Sequence, residues 1–333
     1  MITKIKNIGS LISWDTNKNK ISINSSSDLE ILIQDGLILD IGQSLNDFDI
    51  EETINAYGGL ITPGFIDCHT HPIFSGNRSH DFKLRTEGKT YQEISKSGGG
   101  INSTVNSVRN SSKEQLFNES LNRINLFLKN GTTTIEAKSG YGLTLKDEIK
   151  SLEIIKMLNK HSPIDIIPTF MGAHDFPVEY LDSKDKYVDL ICNEMIPEVA
   201  EKKLAIFCDV FCENGYFTIS QSEKILLTGL EYGLIPRLHA DEFIDSGAAK
   251  LAADIKASSA DHLMYASDEN LQKMAAQGVV SVLLPGTTFF LGKNKYVNAK
   301  RIIDAGGEIA IASDYNPGSC NIQSMPLIIL LSC

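Results

Sequence analysis

The sequence is most informative first in what it lacks. None of its six cysteines falls in a CxxC pair, and their spacing shows no disulfide framework, so reduced thiols in a cytoplasmic protein are expected. The opening MITKIKNIGSLISWD holds no continuous signal-type apolar run. The longest apolar stretch near the end, Met325 to Leu331, is too short to span a membrane. No GxGxxG follows an early strand, and the triple glycine Gly98-Gly99-Gly100 lacks the lysine of a nucleotide P-loop. Charge is not blocked by sign. A net charge of -11 with interspersed acids and bases disfavours nucleic acid and anionic membranes as partners. What remains is ordinary globular composition, 42% hydrophobic and 22% charged over 333 residues, enough for a large core or two domains.

Residues 1–58 read as a small β domain. Lys20 to Asn24 alternates in polarity, and Asp35-Gly36 separates two apolar runs in LEILIQDGLILDI, a strong hairpin signal. Trp14 is expected to be a packing residue, and nothing in the segment offers chemistry.

From residue 59 onward, short apolar runs alternate with helical stretches. Strands are expected at 64–69, 132–137, 165–170, 208–212, 235–239, 260–264, 279–284 and 308–312. Helices are expected at 113–130, 145–160, 187–201, 218–232, 248–255, 268–277 and 296–305. Eight such units over 59–333 match an α/β fold of the (β/α)8 TIM-barrel type; an open doubly wound sheet is the alternative. In a barrel, reactive side chains lie at the carboxyl ends of strands.

Five of the seven histidines fall at such positions. In LITPGFIDCHTH, His69 and His71 are two residues apart at the end of the first barrel strand and so share a face. His174 follows the third strand, His239 the fifth, and His262 the sixth. His80 and His161 read as solvated surface residues. Asp314 ends the eighth strand, where it can bind metal or accept a proton, although an aspartate before Asn316-Pro317-Gly318 also suits a turn. Three histidines and an aspartate suffice for one divalent ion with an open position for water; zinc fits, as do iron and manganese. The fourth strand, CDVFCENG, carries no lysine of the kind that bridges a two-metal centre. Glu242, three residues past His239, can hold or deprotonate water, or be a solvated loop acid. His262 can polarise a carbonyl or simply pack. Arg78 can clamp a carboxylate, or sit at the surface. Gly98-Gly99-Gly100 with the polar INSTVNSVRN reads as a mobile loop with backbone donors. Tyr141 and His174 can reach the barrel mouth, with a lid role open for Tyr141.

These residues resemble the amidohydrolase superfamily and, within it, the imidazolonepropionase family. The resemblance rests on TPGFIDCHTHPIFSGNR, GKTYQEISKSGGGINSTV, GTTTIEAKSGYGL, PTFMGAHDFP, HADEF, SADHL and ASDYNPGS, in the family's order, from about Gly59 to Leu331. Asp81 and Ser319 stand where relatives often carry Glu and Thr. The resemblance implies hydrolysis of 4-imidazolone-5-propanoate to N-formimidoyl-L-glutamate in histidine degradation. It implies His69, His71, His239 and Asp314 as ligands of one zinc or iron ion. It implies Arg78, Tyr141, His174, Glu242 and Ser319 as substrate contacts, with Asn316 and Gly318 touching the opened product. Glu242 or Asp314 would move the water proton, and a protonated His262 would support the oxyanion. Another mononuclear amidohydrolase, such as a nucleobase aminohydrolase, and an inactive metal-binding fragment are the alternatives. Family members run well past residue 333 and complete a small β-sandwich with residues 1–58, so the chain is expected to be incomplete at its C-terminus, with unpaired strand edges in that domain. A homodimer is left open as the assembly.

Overall fold

A computed structural model describes residues 1–18, 20–89, 93–94 and 99–333. It divides into two compact units, Met1–Gly64 and Phe65–Cys333. The change of pattern in the sequence puts the boundary at 58/59, six residues earlier. The short strand Leu60–Ile61 pairs with Ser10 and Leu11, which sets it in the first unit.

Among the described residues, the first unit holds seven strands: β1 (Ile2–Lys6), β2 (Ser10–Asp15), β3 (Lys20–Asn24), β4 (Leu29–Gln34), β5 (Leu37–Gln43), β6 (Glu52–Asn55) and β7 (Leu60–Ile61). They form a four-stranded sheet, β5-β4-β1-β6, and a three-stranded sheet, β3-β2-β7. The Asp35-Gly36 hairpin forms as expected. Both residues have positive φ, 51° and 81°, the backbone that a two-residue turn matched to strand twist requires. Ile8, Leu11, Leu29 and Ile31 make the core of this unit. Trp14 does not join it: its side chain is 57% exposed, because β2 turns that face to solvent.

The second unit is an all-parallel eight-stranded sheet in strict sequence order. Its strands are β8 (Phe65–Thr70), β9 (Thr132–Lys138), β10 (Asp165–Ala173), β11 (Phe207–Cys212), β12 (Ile235–Ala240), β13 (Ser259–His262), β14 (Val280–Leu283) and β15 (Ile309–Ile311). The sheet closes on itself where the segment after β15 bonds to β8. Asp314 N–H donates to His69 O at 3.1 Å, and His71 N–H donates to Tyr315 O at 2.8 Å. Sequential order with closure is the TIM-barrel arrangement and excludes the doubly wound alternative.

Helices cover the outside. Ile219–Glu231 starts at a capping box in which Thr218 and Gln221 satisfy each other's backbone donors. The stretch expected as one helix over 187–201 is instead Lys184–Leu190, a wide π-turn over Ile191–Met195, and Ile196–Glu201. Pro197 has no N–H to give the preceding turn, which is where the wide turn falls. INSTVNSVRN is not a loop. It is the helix Ile101–Asn110, with Thr104, Val105 and Val108 buried. Its serines and asparagines are poor helix formers, and packing of one apolar stripe overrides them. Gly98 lies outside the described residues. The helix Met325–Ser332 buries Met325 and Ile328, and Ile328 lies against Gly286 of the helix Pro285–Phe290.

Candidate active site

The carboxyl ends of the barrel strands gather the histidines. His69 and His71 emerge from β8, with their Nε2 atoms 3.3 Å apart. Asp314 Oδ1 lies 3.4 Å from His69 Nε2 and 3.6 Å from His71 Nε2. These three form one group able to hold an ion; His69, His239 and His262 form a second that shares His69. The His239 ring lies 4.5 Å from His69 and 5.5 Å from His71, centre to centre. All these residues are buried.

The outer nitrogens decide what the inner ones can do. His69 Nδ1 sits 2.6 Å from Asp261 Oδ2, and His239 Nδ1 sits 3.0 Å from Asp209 Oδ1. Each carboxylate must accept, so each Nδ1 carries the proton and each Nε2 presents a lone pair inward. Nε2 of His239 is buried with no hydrogen-bond partner. Lone pairs and a carboxylate oxygen converging at such distances repel unless a cation lies between them. This donor set fits a divalent metal ion.

Burial pushes the His69 and His71 pKa values well below the ordinary range, and neighbouring cationic groups push them further. His262 is also held neutral, by burial first and then by His239 and Lys293. This direction favours a neutral ring over the imidazolium expected at His262, and a neutral ring can still donate a hydrogen bond. For His239, burial favours the neutral ring but the adjacent Asp209 outweighs it. Burial lifts Asp314 to about 6, opposed by the Thr287 hydroxyl, which donates to Oδ2 at 2.5 Å. Glu242 rises to about 7 through burial and then through the charge of Asp314. Its Oε2 lies 3.6 Å from His262 Nε2. The loop carrying Glu242 is fixed by Asp241, which accepts from Ser246, Ala248 and Ala249 N–H. Asp241, His262, Leu263 and Asp314 all have positive φ, backbone strain concentrated at this mouth.

Of the expected substrate contacts, Tyr141 and His174 lie beside His71. Tyr141 is buried, its ring 6.0 Å from His71 and 5.1 Å from His174. Its loop is held by Glu148, which accepts from the N–H of Gly140, Gly142 and Leu143. His174 stacks on His71 at 5.0 Å and holds Gly140 O through Nδ1 at 3.0 Å. Arg78 Nε donates to Asp81 Oδ2 at 2.8 Å, and the same oxygen accepts Gly100 N–H. The guanidinium packs against Gly318 so closely that a Cβ there would lie 2.2 Å from Nη1. Asn316 is committed to its own turn: Oδ1 accepts from Gly318 and Ser319 N–H, and Nδ2 donates to Asp314 O and Ser319 Oγ. His80 and His161 are exposed.

Sequence reasoning missed several residues here. Arg85 donates to Gly318 O at 3.0 Å, close enough to Arg78 that its pKa falls, burial first and Arg78 second. Lys138, Glu136, Asp209, Arg237 and Asp261 lie buried beneath the histidines. Their signal was present as charged residues inside otherwise apolar parallel strands.

The fold matches solved structures of several enzymes. Over 100% of this chain and 77% of the other, it superposes on guanine deaminase from E. coli with a TM-score of 0.71 at 15% identity. The corresponding figures for 5-methylcytosine deaminase from Klebsiella pneumoniae are 99%, 79%, 0.70 and 15%. At that identity the likeness is one of fold alone. No family model matches the chain. Curated relatives do. The chain is 48% identical over 325 residues to imidazolonepropionase of Brevibacillus brevis, covering 95% of this chain and 75% of the relative. It is 51% identical to that of Geobacillus kaustophilus, covering 85% of this chain and 66% of the relative, and 42% identical to that of Alkaliphilus oremlandii, covering 99% and 81%. The chain belongs to the imidazolonepropionase family.

Proposed function

We propose that this chain hydrolyses the ring amide of 4-imidazolone-5-propanoate to N-formimidoyl-L-glutamate, a step of histidine degradation. The observation that carries the reading is a cluster of electron-pair donors at the strand ends, Nε2 of His69 and His71 with Oδ1 of Asp314 and the His239 ring beside them, followed four residues after Asp314 by Gly318, against which the Arg78 guanidinium packs. Membership of a family whose named relatives are imidazolonepropionases supports the substrate.

His69, His71, His239 and Asp314 would hold one divalent ion, zinc or iron. When bound, such an ion lowers the pKa of water to about 7 and polarises a carbonyl. The rest of the chemistry falls to the chain's own groups. Arg78, oriented by Asp81, takes the propionate carboxylate and sets the ring before attack. Tyr141 and His174 wall the ring on the side of His71. Glu242 takes the proton of the attacking water and returns it to the leaving ring nitrogen; a carboxyl near pH 7 is suited to both directions. Asp314 is held by Thr287 and by the ion, which leaves Glu242 as the better base. Neutral His262 donates a hydrogen bond to the carbonyl oxygen as it gains charge. Asn316 shapes the turn that brings Gly318 to Arg78. Six free thiols support a reducing, cytoplasmic setting. Separately, no helix among the described residues is long and apolar enough to cross a membrane.

The test is loss of substrate absorbance with zinc-loaded protein, with and without chelator. The reading predicts turnover that chelation abolishes. Turnover of guanine or cytosine without turnover of imidazolone propanoate would overturn it.

A further inference from the structure

Beneath the histidines the barrel interior holds five buried charged side chains that the reaction above does not use. They form two crossed arms. Lys138, at the end of β9, donates to Asp209 Oδ2 on β11 at 2.7 Å, and Asp209 Oδ1 meets His239 Nδ1 on β12. Arg237, also on β12, reaches the other way. Its Nη2 donates to Asp261 Oδ2 on β13 at 2.8 Å and to Cys68 O on β8 at 2.9 Å, and Asp261 Oδ2 meets His69 Nδ1 on β8. Ser259 Oγ donates to the second Asp261 oxygen at 2.7 Å. Glu136 joins the arms. Its Oε1 lies 2.8 Å from Lys138 Nζ and 3.7 Å from Arg237 Nη1, and its Oε2 accepts the N–H of Thr70, between the two β8 histidines.

Buried ion pairs are a poor means of stabilising a fold, because desolvation offsets most of their attraction and apolar side chains of similar size do as well. Here Asp209 meets Lys138 through Oδ2 and His239 through Oδ1, and Oδ2 of Asp261 meets both Arg237 and His69. A carboxylate fixed in this way sets the ring tautomer and aims the opposite nitrogen. Without Lys138, Asp209 would be free to rotate, and the His239 lone pair would lose its direction. Arg237 stands in the same relation to His69 through Asp261.

We propose that Lys138 and Arg237 are positioning residues for metal binding, Lys138 acting on His239 through Asp209 and Arg237 acting on His69 through Asp261. The inference rests on the proposed metal site. Neither cation touches the ion or the substrate.

The experiment measures zinc affinity by competition with a chromophoric chelator. Unmodified protein that takes up no zinc would sink the metal site itself, which separates that failure from failure of the present inference. With the site established, Lys138→Met is expected to bind zinc about 10- to 100-fold more weakly. In an Asp209→Asn background, Lys138→Met should then change the residual affinity little, because its route to His239 is already cut. Zinc affinity of Lys138→Met within twofold of the unmodified protein, or an equal loss in both backgrounds, overturns the inference. If Lys138→Met does not fold, Asp209→Asn, of the same size, reads the same arm and should show the same loss; unchanged affinity counts against the inference. Nitrogen-15 NMR of histidine-labelled, zinc-loaded protein gives a readout free of mutation. Zinc on Nε2 with a downfield Nδ1–H is expected at both His69 and His239, and zinc on Nδ1 at either ring would contradict the proposal.

Discussion

Replacing Gly318 by alanine isolates the carboxylate clamp. The added Cβ would lie 2.2 Å from Arg78 Nη1, 2.7 Å from Cζ and 3.2 Å from Nη2. Contact between such atoms is comfortable at about 3.5 Å, so the guanidinium must retreat by roughly 1 Å or more. Gly318 itself is not in the left-handed backbone region, and an alanine there is not strained. The fold therefore loses little, while the group that moves is the one proposed to hold the propionate. Arg78 cannot slide freely, because Nε is tied to Asp81 and its side chain is only 11% exposed. Loss of one well-formed hydrogen bond to a charged group costs about 1.5–3 kcal/mol, or roughly 10- to 100-fold in affinity. Gly318→Ala should therefore raise KM by about that factor, with kcat reduced less. The assay is steady-state hydrolysis followed by absorbance, with Tm measured alongside. An unchanged KM in a folded, zinc-loaded variant would refute the placement of Arg78 on the substrate.

Other outcomes follow from the same geometry. His239→Ala should lose bound metal, read by elemental analysis; full retention would break the ligand set. Glu242→Gln should lower kcat by about 10²–10⁴ with KM nearly unchanged. Because the Glu242 carboxyl is pushed up to about 7, it becomes protonated as pH falls, so kcat/KM of the parent should drop on the acid side from about pH 7 downward. The Gln variant should lose that acid limb, and a limb that persists would assign it elsewhere. Phe127 is fully buried, with its ring 5.4 Å from Tyr315, the residue next to Asp314. Phe127→Ala should cost about 3–5 kcal/mol of stability, seen as a lowered Tm in thermal unfolding.

The barrel was legible because parallel strands buried on both faces read as short apolar runs, and helices between them kept their periodicity. The helix Asp268–Gln277 matches its expected bounds, and the barrel strands fall within a few residues of theirs. His69, His71, His239 and Asp314 could be singled out because strand ends in a barrel face one mouth. The buried charges were harder to find. Glu136 and Lys138 alternate on β9 as His69 and His71 do at the end of β8, and Arg237 precedes His239 by two on β12, yet lysine and arginine are not usual ligands, so the shared face drew no notice. Arg85 was invisible because its partner, Gly318 O, lies 233 residues away in sequence. Helix Ile101–Asn110 was hidden by its polar composition, and the exposure of Trp14 by the assumption that a lone tryptophan packs. Neutral His262 is a product of burial, which only the folded barrel supplies.

The account turns on one cation shared by side chains from β8, β12 and the end of β15. An anomalous-difference map from zinc-loaded crystals reads this directly. A single peak per chain is predicted, bonded to Nε2 of His69, His71 and His239 and to Oδ1 of Asp314, with Zn–N distances of about 2.0–2.1 Å. No peak at that position, or one bonded to other side chains with any of the three imidazoles turned away, would contradict it.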